Sequence, residues 1–153
     1  EAAKSFEPLT HRLEFVALVN GIFFYNDSKA TNTDSVKSAL TSFDEPIRVI
    51  MGGSDKGEDF SVLTSMLQQR ARKVYVTGGT TEQMRAAWEG QLELACVEDF
   101  EACVRAAFAD SVPGDIIVLS PACASFDRFR NYEHRGEVFK EIVHRIRREY
   151  EKE

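Results

Sequence analysis

Three short stretches of the chain concentrate the side chains that could hold a small anion. They are Asn26-Asp27-Ser28-Lys29-Ala30-Thr31-Asn32, Gly52-Gly53-Ser54-Asp55-Lys56-Gly57-Glu58-Asp59 and Ser120-Pro121-Ala122-Cys123-Ala124-Ser125-Phe126-Asp127. Each follows directly on a short apolar run, so each reads as the polar exit of a strand. Together they offer two lysines, several hydroxyls and the backbone N–H groups of helix starts, a donor set suited to a carboxylate or phosphate. The plain alternative is three capped strand–helix turns, where Gly, Ser, Asp and Asn occur for backbone reasons alone. Three such loops on one sheet edge, two with a lysine at their centre, favour the anion site. Asp59 reads as a helix cap, and Asp55 as a turn residue or a group that holds Lys56.

Other chemistries are excluded by spacing. Gly52 and Gly57 are set apart as in a P-loop, but Glu58-Asp59 stand where Lys-Ser/Thr should be. Those carboxylates would repel a phosphate and offer no hydroxyl to magnesium. No G-x-G-x-x-G occurs, so any ATP chemistry must be seated mainly elsewhere. Ser125 lacks the G-x-S-x-G elbow of a hydrolase. The three cysteines, Cys96, Cys103 and Cys123, are odd in number and lack C-x-x-C spacing. They read as small buried thiols in a reducing cytoplasm. His11, His134 and His144 do not cluster, so no metal site is expected from this chain alone. Phe126, Phe129 and Tyr132 recur every three residues, as on one face of a tight turn. The two phenylalanines read as a packing wedge, with Arg128, Arg130 and Arg135 solvated beside them.

The elements that must position these loops follow from the apolar pattern. Residues to about 10 read as an interdomain linker, and 11–153 as one domain. Leu13, Phe15, Ala17 and Val19 alternate with their neighbours. Asn20-Gly21 then supplies a two-residue hairpin turn, and Ile22-Phe23-Phe24-Tyr25 the return strand. Strands then alternate with helices. Ile47–Met51, Lys73–Thr77, Leu92–Cys96 and Asp115–Leu119 are short apolar runs. Helical stripes lie at Val36-Ala39-Leu40-Phe43, Leu63-Met66-Leu67-Ala71, Met84-Ala87-Trp88, Phe100-Cys103-Val104-Ala107-Phe108 and Phe139-Ile142-Val143-Ile146-Tyr150. Thr80 and Gln83 have the spacing of a capping box. The pattern predicts an α/β, Rossmann-like three-layer domain, with a mainly parallel sheet and an N-terminal antiparallel hairpin. In such sheets ligands lie beyond the carboxyl ends of the strands, where all three polar stretches fall.

Composition agrees. The length of 153 residues suits one domain, and 43% hydrophobic residues, with eleven Phe and one Trp, suffice for a core. A net charge of −6 argues against nucleic acid as a partner. No run approaches the roughly 18 apolar residues of a membrane span, and Glu1-Ala2-Ala3-Lys4 has no signal-peptide pattern.

At this point the sequence resembles a known family. His11-Arg12-Leu13-Glu14, Asp27 to Asn32, Gly52-Gly53-x-x-Lys56-Gly57-x-Asp59-Phe60, and Leu119 to Gly136 are similar, in order and spacing, to segments of the Mur ligase C-terminal domain. The branch that adds D-glutamate is the nearest in pattern. The last segment is long and specific, whereas the Gly-Gly…Lys segment alone is shared with related ligases.

The resemblance implies a three-domain, ATP-dependent ligase of peptidoglycan synthesis, located in the cytoplasm. Its other two domains would bind the uridine nucleotide and carry the P-loop with most of the ATP and magnesium. It further implies that Lys56, Thr31 and Ser125 bind the carboxylates of D-glutamate, with the backbone N–H groups of Tyr132 and Phe126. Lys29 would shape that site, Arg12 reach the ATP phosphates and Asp27 the nucleotide ribose. No catalytic residue is expected in this domain. The alternatives are another Mur ligase, a folate polyglutamate ligase, or a free-standing module for an acidic metabolite.

Overall fold

The computed structural model describes residues 10–152, and the expected linker lies almost wholly outside them. The chain opens on β1 (Glu14–Val19) and β2 (Ile22–Asn26), paired antiparallel. Asn20 and Gly21 turn the corner at φ 52° and 74°. That is the left-handed pair a hairpin demands, because its twist must match the strands. A bulge between Phe15 and Ala17 resets the alternation. It sends Ala17 and Val19 inward and leaves Phe15 and Leu18 about half exposed.

The remaining strands are β3 (Ile47–Met51), β4 (Ala71–Val76), β5 (Leu94–Cys96) and β6 (Ile116–Leu119). The sheet order is β1-β2-β6-β3-β4-β5, with every pairing after the hairpin parallel. Helices α1 (Thr33–Thr41), α2 (Thr64–Arg70) and α3 (Thr81–Trp88) cover one face, while α4 (Phe100–Asp110) and α5 (Tyr132–Glu151) cover the other. The central strands therefore bury both faces, and their carboxyl halves, Val49-Ile50-Met51 and Val74-Tyr75-Val76, are wholly hydrophobic. Ile50 and Tyr75 pack beneath α4 and α5, and their neighbours Val49, Met51, Val74 and Val76 beneath α1 to α3. The expected three-layer architecture is what forms.

Three local expectations fail. Ala71 does not extend its helix but opens β4, with φ −109° and ψ 127°. The stripe expected from Leu63 is not one helix: Leu63 ends a 3₁₀ turn (Phe60–Leu63), capped by the Asp59 carboxylate, that runs into the short α2. Thr80 and Gln83 form no capping box. The Thr80 hydroxyl instead accepts from Gly53 N–H at 3.2 Å, and Gln83 donates to Asp55 at 2.8 Å. No helix of the described residues is long and apolar enough to cross a membrane.

Candidate functional site

The parallel strands end together, and their exit loops are stitched by backbone bonds. Asp27 N donates to Leu119 O at 2.7 Å, Ala122 N to Ala30 O at 2.9 Å, Gly52 N to Pro121 O at 2.9 Å and Ser54 N to Ala124 O at 2.8 Å. Gly52, at φ 115°, lies so close to β4 that a Cβ would overlap the Thr77 carbonyl. No other residue type fits there.

Beside the first loop opens a cleft of about 520 Å³. Five of the eight residues singled out from sequence line it: Arg12, Asp27, Lys29, Thr31 and Tyr132. Leu13, Asn32 and one side of α1 complete the wall. Asn32 caps α1 by accepting Ser35 N–H at 2.9 Å, so the loop enters the helix beside the cleft. The Lys29 ammonium lies over the Tyr132 ring, 5.7 Å from its centroid, a cation–π contact that aims the charge across the mouth. Tyr132 itself is the first residue of the 20-residue α5, where backbone N–H groups lack an intrahelical acceptor.

Asp27 sits at the back, only 4% exposed. Its Oδ1 accepts from Leu13 N at 3.1 Å and its Oδ2 from Ser120 Oγ at 2.8 Å. Burial pushes its pKa up to about 6, against the pull of those two bonds and of the Arg12 charge. Arg12 is exposed, between His11 and Leu13, whose φ values are 67° and 45°. His11 is buried, with its Nδ1 2.8 Å from Asn26 Nδ2.

The other three residues lie off the cleft. Lys56 is exposed at the tip of the loop after β3. Its neighbour Asp55 accepts from Gly57 N at 2.8 Å, so Asp55 is a turn residue and not the group holding Lys56. Ser125 is buried, and its Oγ has no hydrogen-bond partner. Phe126 is 70% exposed, so the packing wedge consists of Phe129 alone, against Phe100 at 5.2 Å.

Arg135 overturns its expectation most clearly: it is 2% exposed, not solvated. Its Nε donates to Ser28 Oγ at 2.9 Å and its Nη2 to Ser28 O at 2.8 Å, while its buried Nη1 has no partner. Burial lowers its pKa to about 10, against the opposing pull of Cys123 and Asp127. A fixed cation thus lies behind the loops after β2, β3 and β6. One arginine among three in a polar stretch gave no sign of this.

A fourth loop, Thr77 to Thr80 after β4, was also missed, although Gly78-Gly79 after a strand was a legible signal. Asp127 Oδ2 accepts Gly79 N–H at 3.0 Å, and Arg128 reaches Thr77 Oγ1 and Glu98 O, each at 2.7 Å. These bonds lock the turn that carries Ser125 and Phe126. Among the described residues, no three His, Cys, Asp or Glu side chains converge as metal ligands.

Comparison with known proteins gives this geometry a lineage. The family pattern described as Mur ligase, glutamate ligase domain, matches residues 11–123. This chain belongs to the Mur ligase family. As a Mur ligase C-terminal domain it is 44% identical over 146 residues to the UDP-N-acetylmuramoylalanine–D-glutamate ligase of Koribacter versatilis, covering 95% of this chain and 32% of that protein. The namesake from Solibacter usitatus is 46% identical over 142 residues, covering 93% and 32%. The chain therefore spans about a third of the length of the curated relatives it matches. In fold it is similar to the MurF ligase of Thermotoga maritima solved with ADP, with a TM-score of 0.58, 17% identity and coverage of 92% and 33%. It is also similar to the Mycobacterium tuberculosis folylpolyglutamate synthase complexed with ADP, with a TM-score of 0.64, 14% identity and coverage of 86% and 32%.

Proposed function

We propose that this Mur ligase domain is the amino-acid-delivering part of UDP-N-acetylmuramoylalanine–D-glutamate ligase, a cytoplasmic enzyme of peptidoglycan synthesis. The observation that carries the reading is the 44–46% identity, over nearly all of the chain, to relatives bearing that name. The geometry supports it. D-glutamate brings two carboxylates, and this edge of the sheet holds exposed lysines, hydroxyls, an orphan helix N-terminus and the buried guanidinium of Arg135.

In this reading Lys56, Thr31 and Ser125 take the two carboxylates of D-glutamate, the backbone N–H groups of Tyr132 and Phe126 help, and Lys29 shapes the wall. The unpartnered Ser125 Oγ is a donor whose acceptor is the ligand. Lysine suits this role because its ammonium is a compact point charge with three donors. Arg12 reaches the ATP phosphates, and Asp27 the nucleotide ribose. Magnesium would be held mainly by the rest of the enzyme.

ATP phosphorylates the carboxylate of the UDP-linked substrate and leaves as ADP. The amine of D-glutamate attacks the acyl carbon, and phosphate departs. This domain contributes position: it presents the amine to the acyl phosphate and shields it from water. The 153-residue chain alone should neither ligate nor hydrolyse ATP.

The test is phosphate release by the full-length enzyme supplied with UDP-N-acetylmuramoylalanine and ATP. Release that depends on D-glutamate, and not on L-glutamate, supports the proposal. Release with another amino acid in its place, or release by the 153-residue chain alone, overturns it.

A further inference from the structure

Arg12 is held by an unusual piece of backbone. Its two neighbours, His11 and Leu13, both adopt left-handed conformations, at φ 67° and 45°. Side-chain-bearing residues rarely do so, and such a conformation persists only where surrounding contacts over-determine it. Those contacts are present. His11 N donates to Glu14 Oε1 at 3.1 Å, His11 O accepts from Lys29 N at 3.0 Å, and Leu13 N donates to Asp27 Oδ1 at 3.1 Å.

The His11 ring is itself a buried anchor, at 4% exposure. Asn26 Oδ1 accepts Ser28 N–H at 3.1 Å, which fixes the amide and turns Nδ2 toward His11 Nδ1 at 2.8 Å. The ring nitrogen there must accept, so the ring proton lies on Nε2, 3.4 Å from Glu137 Oε2. The Tyr132 ring closes the edge at 6.1 Å. Under the ring lies Gly136, inside α5, where alanine would be the better helix former. A Cβ on Gly136 would fall within the imidazole and against Asn26 Nδ2. The glycine is therefore a seat for the ring.

We propose that His11, seated on Gly136, is a positioning residue: it fixes the strained backbone from which Arg12 extends over the cleft. This rests on the reading of Arg12 as a ligand of the ATP phosphates. It adds a long-range dependence of that contact on α5, through the buried Gly136.

The experiment uses the full-length ligase with His11→Ala, Gly136→Ala, Arg12→Ala and the double variant His11→Ala/Arg12→Ala. KM for ATP, KM for D-glutamate and the melting temperature are read for each. The expected result for His11→Ala and Gly136→Ala is a rise of about tenfold or more in KM for ATP, with KM for D-glutamate changed less than about twofold. In the double variant the loss should equal that of Arg12→Ala alone, because the ring acts only through the arginine. Should Gly136→Ala fail to fold, His11→Ala and the double variant decide.

Equal rises in both KM values, or additive losses in the double variant, would make His11 a merely structural residue and overturn the proposal. If Arg12→Ala raises KM for ATP and His11→Ala does not, the inference falls and the reading of the cleft stands. If Arg12→Ala itself leaves KM for ATP unchanged, both fall.

Discussion

Replacing Asp27 by asparagine should stabilise the fold at neutral pH and remove a pH dependence of known sign. The carboxyl group is 4% exposed, and its pKa is pushed up to about 6 from an ordinary 3.8. Between those values the folded chain keeps a proton that the unfolded chain has already released. Stability from this group is therefore full below about pH 4 and is lost as pH rises through 6. The span is 6 − 3.8 = 2.2 units, and at about 1.36 kcal/mol per unit it is worth about 3 kcal/mol at most. The substituted amide can keep both contacts: its oxygen accepts Leu13 N–H, and its nitrogen donates to the Ser120 oxygen once that hydroxyl turns. Five carboxylates elsewhere, Glu14, Asp59, Glu101, Asp110 and Glu149, have lowered pKa values and act in the opposite sense at lower pH. The difference between wild type and Asp27→Asn cancels them. Urea unfolding followed by the fluorescence of Trp88, the single and fully buried tryptophan, reads that difference. The variant should be more stable by up to about 3 kcal/mol at pH 7 and close to wild type at pH 4. A difference that changes by less than about 0.5 kcal/mol across that range would refute the buried, reluctant carboxylate.

Further outcomes follow from the same geometry. Arg135→Met should leave stability within about 1 kcal/mol of wild type, because the lost bonds to Ser28 are offset by removing a desolvated charge. Arg135→Ala should cost about 2–5 kcal/mol through the cavity it leaves. Equal costs for the two, measured by urea unfolding, would show that the hydrogen bonds and not the volume matter. The 153-residue chain should unfold in one cooperative thermal transition, and a broad transition with strong dye binding would show an unfinished core. Tyr132→Phe in the full-length enzyme should leave KM for D-glutamate within about twofold, since the proposed contact runs through the backbone N–H. A tenfold rise would move the contact to the phenol.

How much of this was legible in the sequence depended on the range of the interaction. Asn20-Gly21, the apolar strands and the polar exits after β2, β3 and β6 are written locally, in turn chemistry and period, and the structure keeps them. Thr80 carried a local capping signal, but Gly53 from the adjacent strand exit claimed its hydroxyl. Ala71 continued a helical stripe, yet β4 begins there, because Leu67 ends the buried run of α2 and pairing with Ile47 takes over. Arg135 looked like one of three equivalent arginines. Only the packing of α5 against the first loop, over a hundred residues apart in sequence, separates a buried guanidinium from two at the surface. The proposed site divides in the same way. Most residues lining the cleft come from one stretch, Asp27 to Ala39, whereas Lys56 and Phe126 stand exposed on neighbouring loops, in a relation to the ligand that no local pattern encodes.

That division makes Lys56 the sharpest test of the central claim, that this domain binds and orients D-glutamate. In the full-length enzyme, Lys56→Ala should leave the fold intact and weaken D-glutamate use by about 1.5–3 kcal/mol, roughly a 10- to 150-fold loss in kcat/KM. Steady-state kinetics with D-glutamate varied at saturating ATP measure it directly. A loss of that size confined to D-glutamate is the predicted result. Unchanged KM and turnover would return Lys56 to the status of a solvated loop lysine and contradict the assignment of the site.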